Sequence, residues 1–319
     1  MHFALGLFVV AFAAALSPVA HAQGYPSKPI RIIVPMGPGA AADVMARTFG
    51  QYLQERTRQP VVIENRPGAN GVIGTELVKN APADGYTFGM TTNSTHAAAK
   101  FLFKDVPYDP MKDFEHVGLF FTVGTVAFVP VDSPIKSFDD LVARARANPG
   151  RLTYAYANTG SQMPAEMLEH AAGLNLQGVS YKATAQALTD LIGKQVDFMF
   201  ENYVAASPHI SGGRVRPIAV TELKRSRLWP NVPAVAEKYP GFEVRAFIGM
   251  CAPRGAPREA VVWMNGAIRD ALAQASVRGT LEKSGVSFSP MTLEQYKAFL
   301  VTETQRWKEH AARAGIEPQ

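Results

Sequence analysis

The residues best placed to bind a ligand sit in three glycine-bearing turns, each between a β-rich run and a helical pattern. The first, Pro35-Met-Gly-Pro-Gly39, follows Ile30–Val34 and opens a helix at Ala41. A helix start leaves backbone N–H groups without internal partners, and the macrodipole adds positive character there, so an anion is favoured. Pro and Gly also serve turn geometry alone, and for any single turn that alternative stays open. The second, Glu64-Asn-Arg-Pro-Gly-Ala-Asn-Gly71, adds Asn70, able to hydrogen-bond or to take a left-handed backbone. The third, Asn158-Thr-Gly-Ser-Gln162, offers the hydroxyls of Thr159 and Ser161 ahead of a helix expected to begin at Pro164. Two anion-favouring helix starts in separate halves of the chain suit a ligand with an acidic group at each end. Asp43 would repel an anion and is read as stabilising its own helix.

Other polar residues carry weaker signals. Lys182 ends a strand and either faces a carboxylate or stands in solvent. Glu201-Asn-Tyr203 follows the buried run ending at Phe200, and polar residues at strand carboxyl ends line the crevice of open α/β sheets. Glu166 and His170, four apart on a helix, could share a metal; without a third ligand, a surface pair is the simpler reading. The single cysteine, Cys251, lies in an apolar run and reads as a small buried hydrophobe. Nucleophile-elbow, zinc-protease and phosphate-loop motifs are absent, and Gly37-Pro-Gly39 is too short for a dinucleotide fingerprint. No cofactor or metal is called for. The chemistry indicated is binding rather than turnover.

The elements that must position these residues alternate between β and α. Expected strands are 30–34, 61–64, 87–91, 117–121, 126–129, 153–157, 178–181, 198–200, 218–221 and 247–252. Expected helices are 41–56, 73–80, 138–148, 164–173, 184–193, 258–275 and 293–314, with Ser137 and Thr292 as N-caps. The alternation predicts α/β layers with largely parallel sheets. Residues 1–22 read as a secretory signal: an apolar run, Ala4–Leu16, then the small-residue cleavage site Ala20-His-Ala22. No later apolar run has membrane-spanning length. An apolar content of 47% against 18% charged residues describes a globular chain, long enough for two domains. The net charge of +5 favours anionic small molecules, while the scatter of Lys and Arg argues against nucleic acid as a partner.

Over essentially the whole chain beyond the signal, the sequence resembles the Bug-type periplasmic solute receptors of tripartite tricarboxylate transporters. The resemblance rests on Tyr25-Pro-Ser-Lys-Pro-Ile-Arg-Ile-Ile-Val-Pro35, Glu64-Asn-Arg-Pro-Gly-Ala-Asn-Gly71, Asp84-Gly-Tyr86, Gln195-Val-Asp197, Ala219-Val-Thr221, Arg225-Ser226, Asn231-Val-Pro233 and Ala252-Pro253. It implies a type II periplasmic-binding-protein fold, with two α/β domains closing by a hinge on a cleft between them. Domain one would be 24–125 plus 248–319 and domain two 126–247, with hinges near Phe120–Thr125 and Phe247–Gly249. It also implies a monomer that delivers a small organic carboxylate to membrane permease subunits. The ligand site it implies takes Met36, Pro38, Gly39, Ala40, Ala41, Asn70, Gly71 and Asn93 from domain one. From domain two it takes Thr159, Gly160, Ser161, Gln162, Tyr181, Lys182, Glu201 and Asn202.

Family members commonly carry Pro-Gly-Gly-x-Thr/Ser-Asp in the first turn, where this chain has Pro38-Gly-Ala-Ala-Ala-Asp43. Likewise Ser180-Tyr-Lys-Ala183 stands for Pro-Tyr-Lys-Gly, and Glu201 for an Asp. Methyls around an anion site favour a flat or bulkier acid, because apolar contact then contributes to binding. The expectation is an aromatic carboxylate such as terephthalate. An aliphatic di- or tricarboxylate, an amino acid, a periplasmic enzyme acting on such acids and a sensor-presenting receptor are the alternatives.

Overall fold

The computed structural model describes residues 24–313 together with Gly315 and Pro318, so the expected signal segment lies outside the described residues. Two mixed sheets share one long strand. The first contains β1 (Ile30–Val34), β2 (Val61–Asn65), β3 (Thr87–Thr92), β4 (Phe114–Pro130), β9 (Arg245–Pro253) and β10 (Ser287–Phe288). Its parallel order β2-β1-β3 meets β9 and β4, which run antiparallel to their neighbours. The second contains β5 (Thr153–Tyr156), β6 (Gln177–Ser180), β7 (Phe198–Asn202) and β8 (Val215–Val220). Here β6-β5-β7 is parallel, while the far end of β4 pairs antiparallel with β7 and β8.

Helices follow the strands and cover both sheets. They are α1 (Ala41–Thr57), α2 (Val72–Lys79), α3 (Ala99–Leu102), α4 (Phe138–Ala147), α5 (Thr159–Ala172), α6 (Thr184–Ile192), α7 (Tyr203–Ser211), α8 (Arg258–Ala273), α9 (Ala275–Glu282) and α10 (Leu293–Arg313). The α/β, two-domain type II architecture is that of the sequence reading. Three expectations are corrected. The sheets are mixed rather than largely parallel, because β4 and β9 return antiparallel. The strands expected at 117–121 and 126–129 are one 17-residue strand, paired with β9 from Phe114 to Gly124 and with β7 from Thr125 onward. The helix expected from Pro164 begins at Thr159 instead. There Asn158 and Ser161 form a reciprocal cap upstream of the proline, so the helix is already nucleated when Pro164 enters its interior.

The two expected N-caps hold. Ser137 Oγ accepts from the Asp140 N–H at 3.1 Å. Thr292 Oγ1 accepts from the Gln295 N–H at 3.2 Å, and Gln295 returns a bond to the Thr292 N–H at 2.9 Å. Helix α10 buries Tyr296, Leu300 and Trp307, spaced to form one inward stripe. It packs on β4 and on a π-helical turn, Ser94–Ala98, that leads from β3 into α3. That turn is pinned: Thr95 Oγ1 accepts from the Thr92 N–H at 3.1 Å, and Tyr108 donates to the Thr95 carbonyl at 3.0 Å. Among the described residues, no helix is long and apolar enough to cross a membrane.

Candidate functional site

The carboxyl ends of β1, β3, β5 and β7 converge on a cleft between the sheets. Its floor, a cavity of about 30 Å³, is lined from one side by Met36, Ala40, Ala41, Ala42, Thr92, Asn93 and Ser94. Asn158, Gly160, Glu201 and Asn202 line it from the other, with Thr125 of the shared strand β4 and Ala246 and Ile248 of β9 between. An outer cavity of about 620 Å³ shares Met36, Ala40 and Asn158 with the floor and adds Asn70, Gly71, Tyr181, Lys182 and Thr184. The floor admits about one water or one carboxylate head, and only the outer cavity has room for a ligand body.

Donors collect on the floor. Helix α1 starts there with no side chain capping it. The Asn93 side chain is 3% exposed, and its Nδ2 has no hydrogen-bond partner. A buried amide donor without a partner costs about 1–3 kcal/mol, so its placement in a cleft points to a ligand acceptor. The two sides touch across this floor: a Cβ built on Gly160 would lie 3.3 Å from Asn93 Nδ2. Toward the rim, a Cβ on Gly37 would lie 3.0 Å from Ala183 Cβ.

Among the described residues, Glu201 is the one ionisable residue lining the floor. Only 2% of it is exposed. Its Oε1 accepts from the Asn202 N–H at 2.8 Å and from the Asn202 side-chain amide, while Thr184 donates to Oε2 at 3.3 Å. Burial pushes its carboxyl up to about 6, against the partial hold of those hydrogen bonds. Thr184 therefore spends its hydroxyl on Glu201, and the N-cap of α6 is Ala183 with no side-chain bond. Asn202 in turn caps α7, accepting from the Ala205 N–H at 3.1 Å.

The sequence pattern of the tripartite tricarboxylate transporter family receptor, TctC, matches residues 45–316. The chain belongs to this receptor family. It is 35% identical over 310 residues to protein BugT of Bordetella pertussis, covering 95% of this chain and 94% of that one. The solved structure of Rpa4515 of R. palustris with adipate superposes with a TM-score of 0.89 at 31% identity, covering 92% of this chain and all of that one. The structure of the periplasmic binding protein BugD gives 0.88 at 32% identity, with coverages of 92% and 100%. The family consists of periplasmic solute-binding receptors, and association with a tripartite transporter and carboxylate binding go with it.

In this receptor, Met36, Ala40, Ala41, Asn93, Gly160, Glu201 and Asn202 meet on the floor. Asn70, Gly71, Tyr181 and Lys182 line the outer cavity, and Asn70 has the left-handed backbone anticipated for it, with φ of 53°. The others line neither cavity. Pro38 and Gly39 are exposed at the tip of the first turn and line neither cavity. Gln162 lines a large surface groove that adjoins the outer cavity through Asn70 and Ser180, and it donates to Glu166 at 2.7 Å. Ser161 is fully buried; its hydroxyl donates to the Asn158 carbonyl at 2.9 Å and accepts from the Ala157 N–H at 3.1 Å. That hydroxyl is spent on the cap. Thr159 is buried, its hydroxyl unpartnered.

The starts of α1 and α5, expected at opposite ends of a ligand, line the same small floor. Asp43 has the structural role expected of it: it accepts from the Gly39 N–H at 3.0 Å and from Asn65 at 2.9 Å, and pairs with Arg47 at 2.9 Å. Cys251 is buried, and burial pushes its thiol up. Of the floor, the sequence reading missed Ala42, Thr92, Ser94, Thr125, Asn158, Ala246 and Ile248 as lining residues, and of the outer cavity it missed Thr184 among others. Asn158 lay within the third turn, but its double duty as cap and wall shows only in three dimensions.

Proposed function

We propose that this chain is an exported, non-catalytic, monomeric receptor that captures a small organic carboxylate in the cleft and delivers it to the permease subunits of a tripartite tricarboxylate transporter. The observation that carries the reading is the unpartnered, buried Asn93 amide beside the uncapped start of α1. Both are donors, and they meet on a floor sized for one carboxylate head. A cleaved signal at residues 1–22 and periplasmic placement fit the family's receptors.

The division into 24–125 plus 248–319 and 126–247 puts one crossing where β4 leaves the first sheet, between Gly124 and Thr125. For the second we favour the entry to β9, where the Val244 N–H donates to Thr221 just before Arg245. Hinge motion about these two points would open the floor.

For the ligand we favour an aromatic dicarboxylate such as terephthalate. Methyls of Ala40, Ala41 and Ala42 and the side chains of Met36 and Ile248 surround the donors, which supports apolar contact beside the anion. The adipate in the Rpa4515 structure supports a second reading, an aliphatic acid with two separated carboxylates. Calorimetric titration of the mature protein with terephthalate, benzoate, adipate and citrate decides between them. Tight binding of terephthalate alone is the expected result. Binding of adipate or citrate alone would discard the aromatic preference, and no heat with any acid would sink the carboxylate reading.

A further inference from the structure

A carboxylate receptor with a carboxylate built into the floor of its cleft poses an electrostatic problem. Resting on the carboxylate reading above, we propose that Glu201 makes capture proton-coupled: the ligand carboxylate seats on the floor together with one proton, which Glu201 holds and donates to it as a hydrogen bond. The proton comes from solvent, and no covalent bond changes: two carboxylates and one proton become a carboxylic acid hydrogen-bonded to a carboxylate.

Geometry carries this. A cavity of about 30 Å³ leaves a ligand head no way to stand far from the Glu201 side chain that lines it. Of the two carboxyl oxygens, Oε1 is occupied by the Asn202 backbone and side-chain amides. Oε2 accepts from Thr184 at a long 3.3 Å, and the Asn158 amide also lies within reach of the carboxyl, so Oε2 is the less occupied oxygen and the one able to carry a proton.

Among the described residues, no cation lines the floor to offset a second negative charge. From α1, Asp43 is committed to Arg47. Ahead of α6, Lys182 stands exposed at the rim. On α7, Tyr203 donates to Glu222 at 2.7 Å, and on β9, Arg245 donates to Thr122 at 3.0 Å, acts on the Glu303 carboxylate and does not line the floor. In the turn after β3, the His96 ring bonds Thr95 at 2.9 Å and packs on Phe114, with burial holding it well below its usual range. Strand β4 and helix α5 present only neutral groups, Thr125, Asn158 and Gly160. Two carboxylates in contact at a buried site do not both stay ionised. Burial already pushes Glu201 up to about 6, and a bound anion pushes it further the same way.

The test is calorimetric titration of the full mature protein with terephthalate and with adipate, from about pH 5 to about pH 8.5, in buffers of different ionisation enthalpy. Near pH 8 about one proton should be taken up per ligand bound, declining toward pH 5, and affinity should fall up to about tenfold per pH unit on the alkaline side. Glu201→Gln should bind without proton uptake, with a flat pH profile, and more tightly than the unaltered protein near pH 8. Binding by the unaltered protein with no proton uptake overturns the proposal and leaves the receptor reading intact. Weaker binding by Glu201→Gln at every pH also overturns it, since Glu201 would then be an ionised acceptor for a ligand donor. If neither acid binds at any pH, both readings fall. Proton counting on the unaltered protein decides the matter even where the variant does not fold.

Discussion

Three side chains divide the work on or beside the floor. Asn93 offers a donor with no internal partner, so Asn93→Ala should weaken carboxylate binding by about 1.5–3 kcal/mol, roughly ten- to a hundredfold by titration, while barely lowering the melting temperature. Ser161 is different. Its hydroxyl serves the cap of α5, so Ser161→Ala should cost about 1 kcal/mol in thermal denaturation and shift affinity less than threefold. A larger loss of affinity than of stability would return Ser161 to the ligand site. Glu201 is buried with its carboxyl raised to about 6, so the folded chain binds the extra proton between the ordinary carboxyl value and that one. Its contribution to stability is therefore present at low pH and lost as pH rises through that window. Glu201→Gln should then melt higher than the unaltered protein near pH 8, by about 2 kcal/mol at most; an unchanged or lower melting point would contradict this.

At the level of elements, β4 is the part that joins the two sheets. At its crossover Gly124 leaves no room for a side chain: a Cβ there would lie 2.7 Å from the Glu222 carboxylate and from the Tyr203 ring. Gly124→Ala should force those two apart and lower stability by about 1–3 kcal/mol in chemical denaturation, while its distant isosteric control, Gly266→Ala, with nothing near its Cβ, should not. Most elements were legible in the sequence because their periods are clean: β1 matches its expected bounds, and α1, α4, α6 and α10 fall within about a residue of theirs. What failed had a physical reason. Thr122-Val-Gly-Thr125 breaks the apolar run with polar and glycine positions, so one strand read as two. Pro164 marks a helix start in general, yet the Asn158–Ser161 cap lies upstream of it. Helix α7 follows β7 with no linker and contains Pro208, and so gave no separate signal. The site was legible as turns, since β1, β2 and β5 end in them. Which turns face one another depends on sheet order, and local spacing carries no information about that.

For the whole molecule, acid stability should be set by buried histidines. Burial pulls His116 and His310 down to about 4 and holds His96 well below its usual range. The unfolded chain takes up protons first, so their contribution is complete above the ordinary histidine value and is lost as pH falls toward about 4. Melting temperature should therefore drop between about pH 6.5 and pH 4, against the opposing trend of Glu201, and His116→Phe should flatten the drop. An unchanged slope in that variant would remove His116 from the account. The close approach of the turns at Gly37 and Ala183 would have a mechanical consequence for a receptor that serves a transporter. A Cβ added at Gly37 would lie 3.0 Å from the Ala183 methyl, so a hinge motion that brings the two turns together would end there at a hard stop. Different acids in the cleft would then give one closed outline, and a membrane partner that recognises this outline would register that the receptor is full without reading what it carries. Gly37→Val should hold the liganded protein ajar, visible as a larger radius of gyration in solution scattering. A liganded variant as compact as the unaltered protein would show that closure stops elsewhere.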